Sequence, residues 1–279
     1  DDPESTAPAD PNHSADAQVP HSVLTVVTGA IEGVGATEVA IEVAAQLRRR
    51  DETVVLVDAD LVAPSLAQRL QAPLTANVYA AIDAVQHTLT DPTACLTAIP
   101  RGGFELLGGV EHPKHWQDLD PDDLMAVVDT LRERRQHVVV NIGSQLEALP
   151  SGRHETARTL VRAADRVVVV TDPTPTGLVR VSRWMVDARE LTEPGRMHVV
   201  VNRSDSRDAR PQLDAELLRT VECAAVWHVP SDRRLRRAVW DGGLAAPGKF
   251  TKAVAALTAS AVPRVGATVR GRSWTEALQ

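Results

Sequence analysis

The chain has little of what marks the special classes of protein. Only two of its 279 residues are cysteine, Cys95 and Cys223, far apart and without metal-ligand spacing. That argues against a disulfide scaffold or a cysteine-ligated metal centre and fits buried free thiols in a reducing cytosol. No run of 18 apolar residues occurs, so no segment is built to cross a bilayer as a helix. Residues 1–21 also lack the apolar stretch of a secretory signal. Phe and Tyr are scarce against many Ala, Val and Arg, a compositional bias that carries no function. Positive charge is in deficit, 30 Lys and Arg against 37 Asp and Glu, for a net charge of −7. This argues against wholesale nucleic-acid binding but leaves room for a local basic patch. The histidines are scattered; His112 and His115 are split by Pro113 with no third ligand nearby, so no structural zinc is expected.

What is present is a globular core, since 43% of the residues are hydrophobic. Residues 1–21 hold Asp, Pro, Ala and Ser with almost no large apolar side chains, and a disordered tail is expected there. From Ser22 onward, β-branched runs alternate with amphipathic segments. The strands expected are Val23–Thr28, Thr53–Val57, Phe104–Leu107, His137–Ile142, Arg166–Thr171, Met197–Asn202 and Ala225–Val229. The helices expected are Val34–Arg50, Pro121–Arg134, His154–Ala163, Gly177–Leu191 and Lys249–Ala261. Runs such as Val138-Val139-Val140 are apolar at every position, as in strands covered on both faces. The alternation implies an α/β fold, one domain over 22–262 with a mostly parallel twisted sheet flanked by helices, followed by a C-terminal tail, 263–279. Ligands are then expected at the carboxyl ends of the strands.

The most informative stretch is Val23 to Thr37, a β-branched strand, a turn bearing Gly29, Gly33 and Gly35, and a helix. This is the layout of a phosphate-binding loop. There, glycines let backbone N–H groups converge on a phosphate, a lysine reaches the β- and γ-phosphates, and a hydroxyl holds Mg²⁺. Gly33, Gly35 and Thr37 are in place, but Ala36 stands where the lysine belongs.

Three further landmarks follow in order: Val54-Val55-Leu56-Val57-Asp58-Ala59-Asp60 with Pro64-Ser65-Leu66; Val140-Asn141-Ile142-Gly143; and Val199-Val200-Val201-Asn202-Arg203 with Val229-Pro230-Ser231-Asp232. The series resembles the ParA/MinD family of deviant Walker-A ATPases across nearly the whole globular part, and so implies a P-loop NTPase fold of the SIMIBI type. Asp58 to Leu66 is similar to the MinD-like members. Gly108–Asn141 and Pro230–Gly243 look closer to the branch associated with pilus assembly and secretion.

On that resemblance, the signature lysine that reaches across the dimer becomes Ile31, the first glycine Glu32, the phosphate lysine Ala36, the residue after Thr37 Glu38, and the Walker-B aspartate Asn141. Two positive charges are gone and two negative ones have arrived. Each lost charge-assisted hydrogen bond would cost roughly 1.5–3 kcal/mol of binding, and a carboxylate ~4 Å from a phosphate adds on the order of 4 kcal/mol of repulsion. Glu38 is expected to point outward, leaving Glu32 as the serious obstacle. The resemblance implies a place for Asp58 near the Mg²⁺ shell and for Asp60 at the attacking water; the alternative is that both acids cap the next turn. It implies an adenine contact for Asn202, against a simple turn asparagine.

Arg233, Arg234, Arg236 and Arg237 form the densest basic run. They are either a patch for DNA phosphates or anionic lipid, or a solvated helix face with Leu235 and Val239 buried. The second is the more economical reading. A membrane-seeking tail is disfavoured because Pro263, Gly266 and Gly271 interrupt any long helix.

The function expected is a catalytically inactive positioning or regulatory scaffold in secretion, pilus, cell-pole or division organisation. It would be cytoplasmic or peripheral at the membrane, with no cofactor and no metal, and would pair with itself, an intact ATPase or secretion machinery. The alternatives are a weak ATPase using Arg153 or Arg203 as substitute cations, with ATP and Mg²⁺, or a non-specific DNA-binding partition protein.

Overall fold

Val, Ile and Leu at every position of a strand bury both of its faces, and such strands are stable only as the inner members of a parallel sheet. The computed structural model describes residues 22–88, 90–205 and 210–265, and in it the apolar runs form one eight-stranded sheet. Its strands are β1 (Val23–Gly29), β2 (Val54–Ala59), β3 (Thr97–Ile99), β4 (Phe104–Leu107), β5 (His137–Ile142), β6 (Arg166–Thr171), β7 (Met197–Asn202) and β8 (Ala225–Val229). The order is β3-β4-β2-β5-β1-β6-β7-β8, with every pairing parallel except β3 on β4. The chain moves outward from β1 to β2 and β4, returns through β5, and then builds β6 to β8 on the other side of β1.

The helices are α1 (Ala36–Arg48), α2 (Leu66–Arg69), α3 (Val78–Asp83), α4 (Pro121–Arg134), α5 (Glu155–Ala163), α6 (Pro175–Ala188), α7 (Arg210–Thr220), α8 (Arg233–Trp240) and α9 (Lys249–Ala261). One face of the sheet carries a core with side chains from α3 to α7. The other packs on α1, α2 and α9. β1 feeds both, sending Leu24 and Val26 to the first core and Val23 and Val27 to the second.

The expected bounds hold for β4 to β8, α4 and α9. Five differ, β1 and α5 by one residue each, ending at Gly29 and starting at Glu155, and three more for local reasons. β2 extends to Ala59, so Asp58 lies within the strand. α1 starts only at Ala36, because Gly35 is left-handed (φ 94°) and cannot be a helical turn residue. α6 starts two residues early, where Pro175 takes the first helical position and Thr174 Oγ1 accepts from Gly177 N. The sequence pattern gave no sign of β3, three residues long, or of α7, in which only Leu217 is buried. The expected disordered tail, 1–21, lies outside the described residues, as does the C-terminal tail beyond Val265.

Candidate functional site

The carboxyl ends of β1, β2 and β5 open on a cavity of about 520 Å³ at the N-terminus of α1. It is lined by the loop from Ile31 to Glu38 and by Asp60, Ser65, Arg69 and Asn141, among others. The landmark residues far apart in sequence thus meet at one edge of the sheet, as the parallel register of β1, β5 and β2 requires. In this cavity the backbone of Gly33 to Thr37 and the Thr37 hydroxyl are the groups that suit phosphate and its metal.

The loop is closed on itself by residues that arrive from β7. Asn202, 5% exposed, donates from Nδ2 to Val34 O at 2.6 Å, and its Oδ1 accepts from Arg203 N at 2.9 Å. Arg203 reaches back to donate to Gly33 O at 3.0 Å. The closeness explains Gly35, since a Cβ there would stand 2.6 Å from Asn202 Nδ2. Asn202 therefore braces the loop through Val34 as well as holding the turn at the end of β7.

Asp58 is buried and clamps the start of α2. Its Oδ2 accepts from Ser65 N and Leu66 N, both at 2.8 Å, and its Oδ1 from Asp60 N at 3.3 Å and Asn141 Nδ2 at 3.4 Å. Burial pushes its carboxyl up to about 6, against the pull of the two α2 amides. Asn141 is what a buried carboxylate tolerates beside it, because a second acid there would add like-charge repulsion at hydrogen-bond distance. Asp60 Oδ1 accepts from Val62 N and Ala63 N, both at 2.9 Å, so this acid does cap the following turn. The same residue lines the cavity.

Glu38 corrects an expectation. It turns toward α2 rather than outward and pairs with Arg69 through two hydrogen bonds, 2.6 and 2.9 Å. Both side chains are largely buried, at 16% and 8% exposure. Arg69 Nη1 finds no hydrogen-bond partner among the described residues. Sequence reasoning missed Arg69, which lies 31 residues from Glu38. The one signal was an arginine at the end of a short segment between the apolar residues Leu66 and Leu70, where burial demands a carboxylate. Of the two arginines considered as substitute cations, Arg203 is bonded to the loop carbonyl of Gly33, and Arg153 lies over the Trp116 ring at 5.9 Å.

Cys95 and Cys223 are free and only partly buried. His112 caps a short turn by accepting from Lys114 N. Asp232 caps α8 through Arg234 N and also accepts from Lys249 N and Phe250 N at the start of α9, tying the two helices together. On α8 the buried residue is Ala238, with Leu235 half-buried; Val239 is 41% exposed, contrary to expectation. No helix among the described residues is long and apolar enough to cross a membrane.

Comparison with known proteins bears out the resemblance. No family profile matches the chain. The septum site-determining protein MinD of Synechocystis sp. is 24% identical over 186 residues, which is 64% of this chain and 64% of that protein, less than two thirds of its length. A ParA family ATPase from Chlorobium tepidum superposes with a TM-score of 0.70 at 16% identity, covering 86% of this chain and 99% of the other. The MinC:MinD cell division complex of Aquifex aeolicus gives 0.67 at 16% identity over 85% of this chain and 94% of its own. At these identities the structural likeness establishes the fold, a mostly parallel P-loop NTPase sheet flanked by helices.

Proposed function

We propose that this chain, which has the fold of the ParA/MinD ATPases, is a division- or partition-related protein that acts as a positioning or regulatory scaffold without ATP chemistry. One observation carries the reading. Among the described residues lining the loop cavity are the carboxylates of Glu32, Glu38 and Asp60 and one guanidinium, that of Arg69, which is paired with Glu38. Arg69 is already neutralised by Glu38, and a triphosphate that drew it away would leave the Glu38 carboxylate largely buried and unpaired, a loss of about 3–5 kcal/mol. Ala36 supplies no charge to offset that. The residues present do not suit a magnesium-bound nucleoside triphosphate, and they supply no route to its hydrolysis.

In place of nucleotide, the side chains of Arg203, Asn202 and Arg69 hold the loop in one arrangement. A face that a nucleotide would otherwise switch is thereby fixed, and a fixed face suits a standing protein partner: a second copy, an intact ATPase of this fold, or a component of secretion or pilus machinery. The MinD of Aquifex aeolicus has been solved with MinC, an instance of a protein partner on this fold.

Titration with a fluorescent ATP analogue in the presence of Mg²⁺ tests the reading. The natural chain is expected to show no saturable binding, and Ala36→Lys combined with Glu32→Gly is expected to gain it. Magnesium-dependent ATP turnover by the natural chain, abolished by Asp60→Ala, would overturn the proposal.

A further inference from the structure

α8 is an exception to the charge of the molecule. Within a chain of net charge −7 it carries Arg233, Arg234, Arg236 and Arg237 and no acid between its ends. Helical geometry sorts these residues by 100° steps. Ala238 and Leu235 face the body of the protein, and Arg234 lies at the flank, where it donates to Pro247 O. Arg233, Arg236 and Arg237 share the opposite face, all exposed. In the middle of that arc stands Trp240, 86% exposed, with Val239 beside it. Arg101 adds a further cation at the helix end, its guanidinium 3.4 Å from where a Cβ on Gly243 would lie. Of the nearby acids, Asp232 is bound up in capping α8 and α9 and Asp205 accepts from Ser231 N, which leaves Asp241 beside Trp240.

A solvated salt-bridging face has no use for an indole at its centre. A fully exposed Trp ringed by arginines has the chemistry of a group that sits at the headgroup level of a bilayer, where its apolar ring leaves water while the cations stay on lipid phosphates. Duplex DNA matches the arginines, but a protruding indole could enter its base stack only at the cost of unstacking a step, a cost the bilayer interface does not impose. We propose that the outer face of α8 is a contact site for an anionic lipid surface, with Trp240 inserted at the interface and Arg233, Arg236 and Arg237 on the phosphates. The site is about one helix long, so the contact is reversible and peripheral. It stands apart from the nucleotide reading and does not depend on whether the loop binds ATP.

Sedimentation of the full chain with lipid vesicles tests it. Binding is expected to vesicles of phosphatidylcholine and phosphatidylglycerol at two to one, not to phosphatidylcholine alone, and to weaken as salt is raised. Arg233→Glu with Arg236→Glu and Arg237→Glu is expected to lower partitioning by at least ~100-fold, on the usual contribution of a basic residue near an anionic leaflet. Trp240→Ala is expected to lower it while leaving the thermal midpoint unchanged, since the side chain is exposed. Absence of binding to the anionic vesicles, or binding indifferent to both variants, would overturn the proposal. So would retention on duplex DNA that is as strong as lipid binding and insensitive to Trp240→Ala.

Discussion

Asn202 shows how one side chain sets the state of a loop. Its amide gives Val34 O a donor inside the protein, and its own carbonyl is satisfied by Arg203 N. Truncation to Ala would leave Val34 O buried without that donor, a loss of about 1–3 kcal/mol. Hydrogen exchange of the Gly33 to Ala36 amides is expected to quicken in Asn202→Ala ahead of the core strands. Unchanged protection would show that Arg203 alone braces the loop. The place of this residue at a strand end was legible from its register with the other landmarks. Its partner was not, because Val34 lies 168 residues away and only the β1-β6-β7 neighbourhood brings it near.

At the scale of elements, α2 is too short to hold itself in place, with four residues and nucleation costs exceeding its own hydrogen bonds. It is fixed from outside, by Asp58 at its first amides and by Glu38 at its last residue. The buried pair makes opposite forecasts for single and double changes. Arg69→Met is expected to cost about 3 kcal/mol or more by stranding the Glu38 carboxylate, and adding Glu38→Leu to recover most of it. Urea denaturation of the three proteins checks this, and a double variant no more stable than the single one would refute the coupling. Elements with long periodic patterns, α4 and α9, were legible to their end residues, since capping Asp120 and the apolar spacing of Leu124, Val127, Val128 and Leu131 act locally. β3 and α2 gave no such signal, because their stability comes from β4, Asp58 and Glu38 rather than from their own residues.

Across the whole molecule, two buried groups pull stability in opposite directions with pH. Burial, then the Arg166 guanidinium, lowers His198 from its ordinary 6.5 to about 4. Its neutral form contributes stability above pH 6.5 that is lost as pH falls through 4, about 3 kcal/mol in all. Asp58, raised from 3.8 to about 6, contributes stability below 3.8 that is lost as pH rises through 6. His198→Asn should therefore lose less stability than the natural chain between pH 6.5 and 4. Denaturant midpoints across that range measure the difference, and parallel slopes would contradict it.

The α/β class, the parallel sheet and the loop with its missing lysine were determined by sequence alone, because unbroken apolar strands and left-handed glycines are constraints each short segment imposes by itself. Tertiary structure decided which charges face one another: that Glu38 turns inward to Arg69, that Asn141 lies against Asp58, and that Trp240 stands clear of the body among three arginines. Electrostatic and packing partners are chosen by distance in space, and distance in space is set only once the sheet has closed around them.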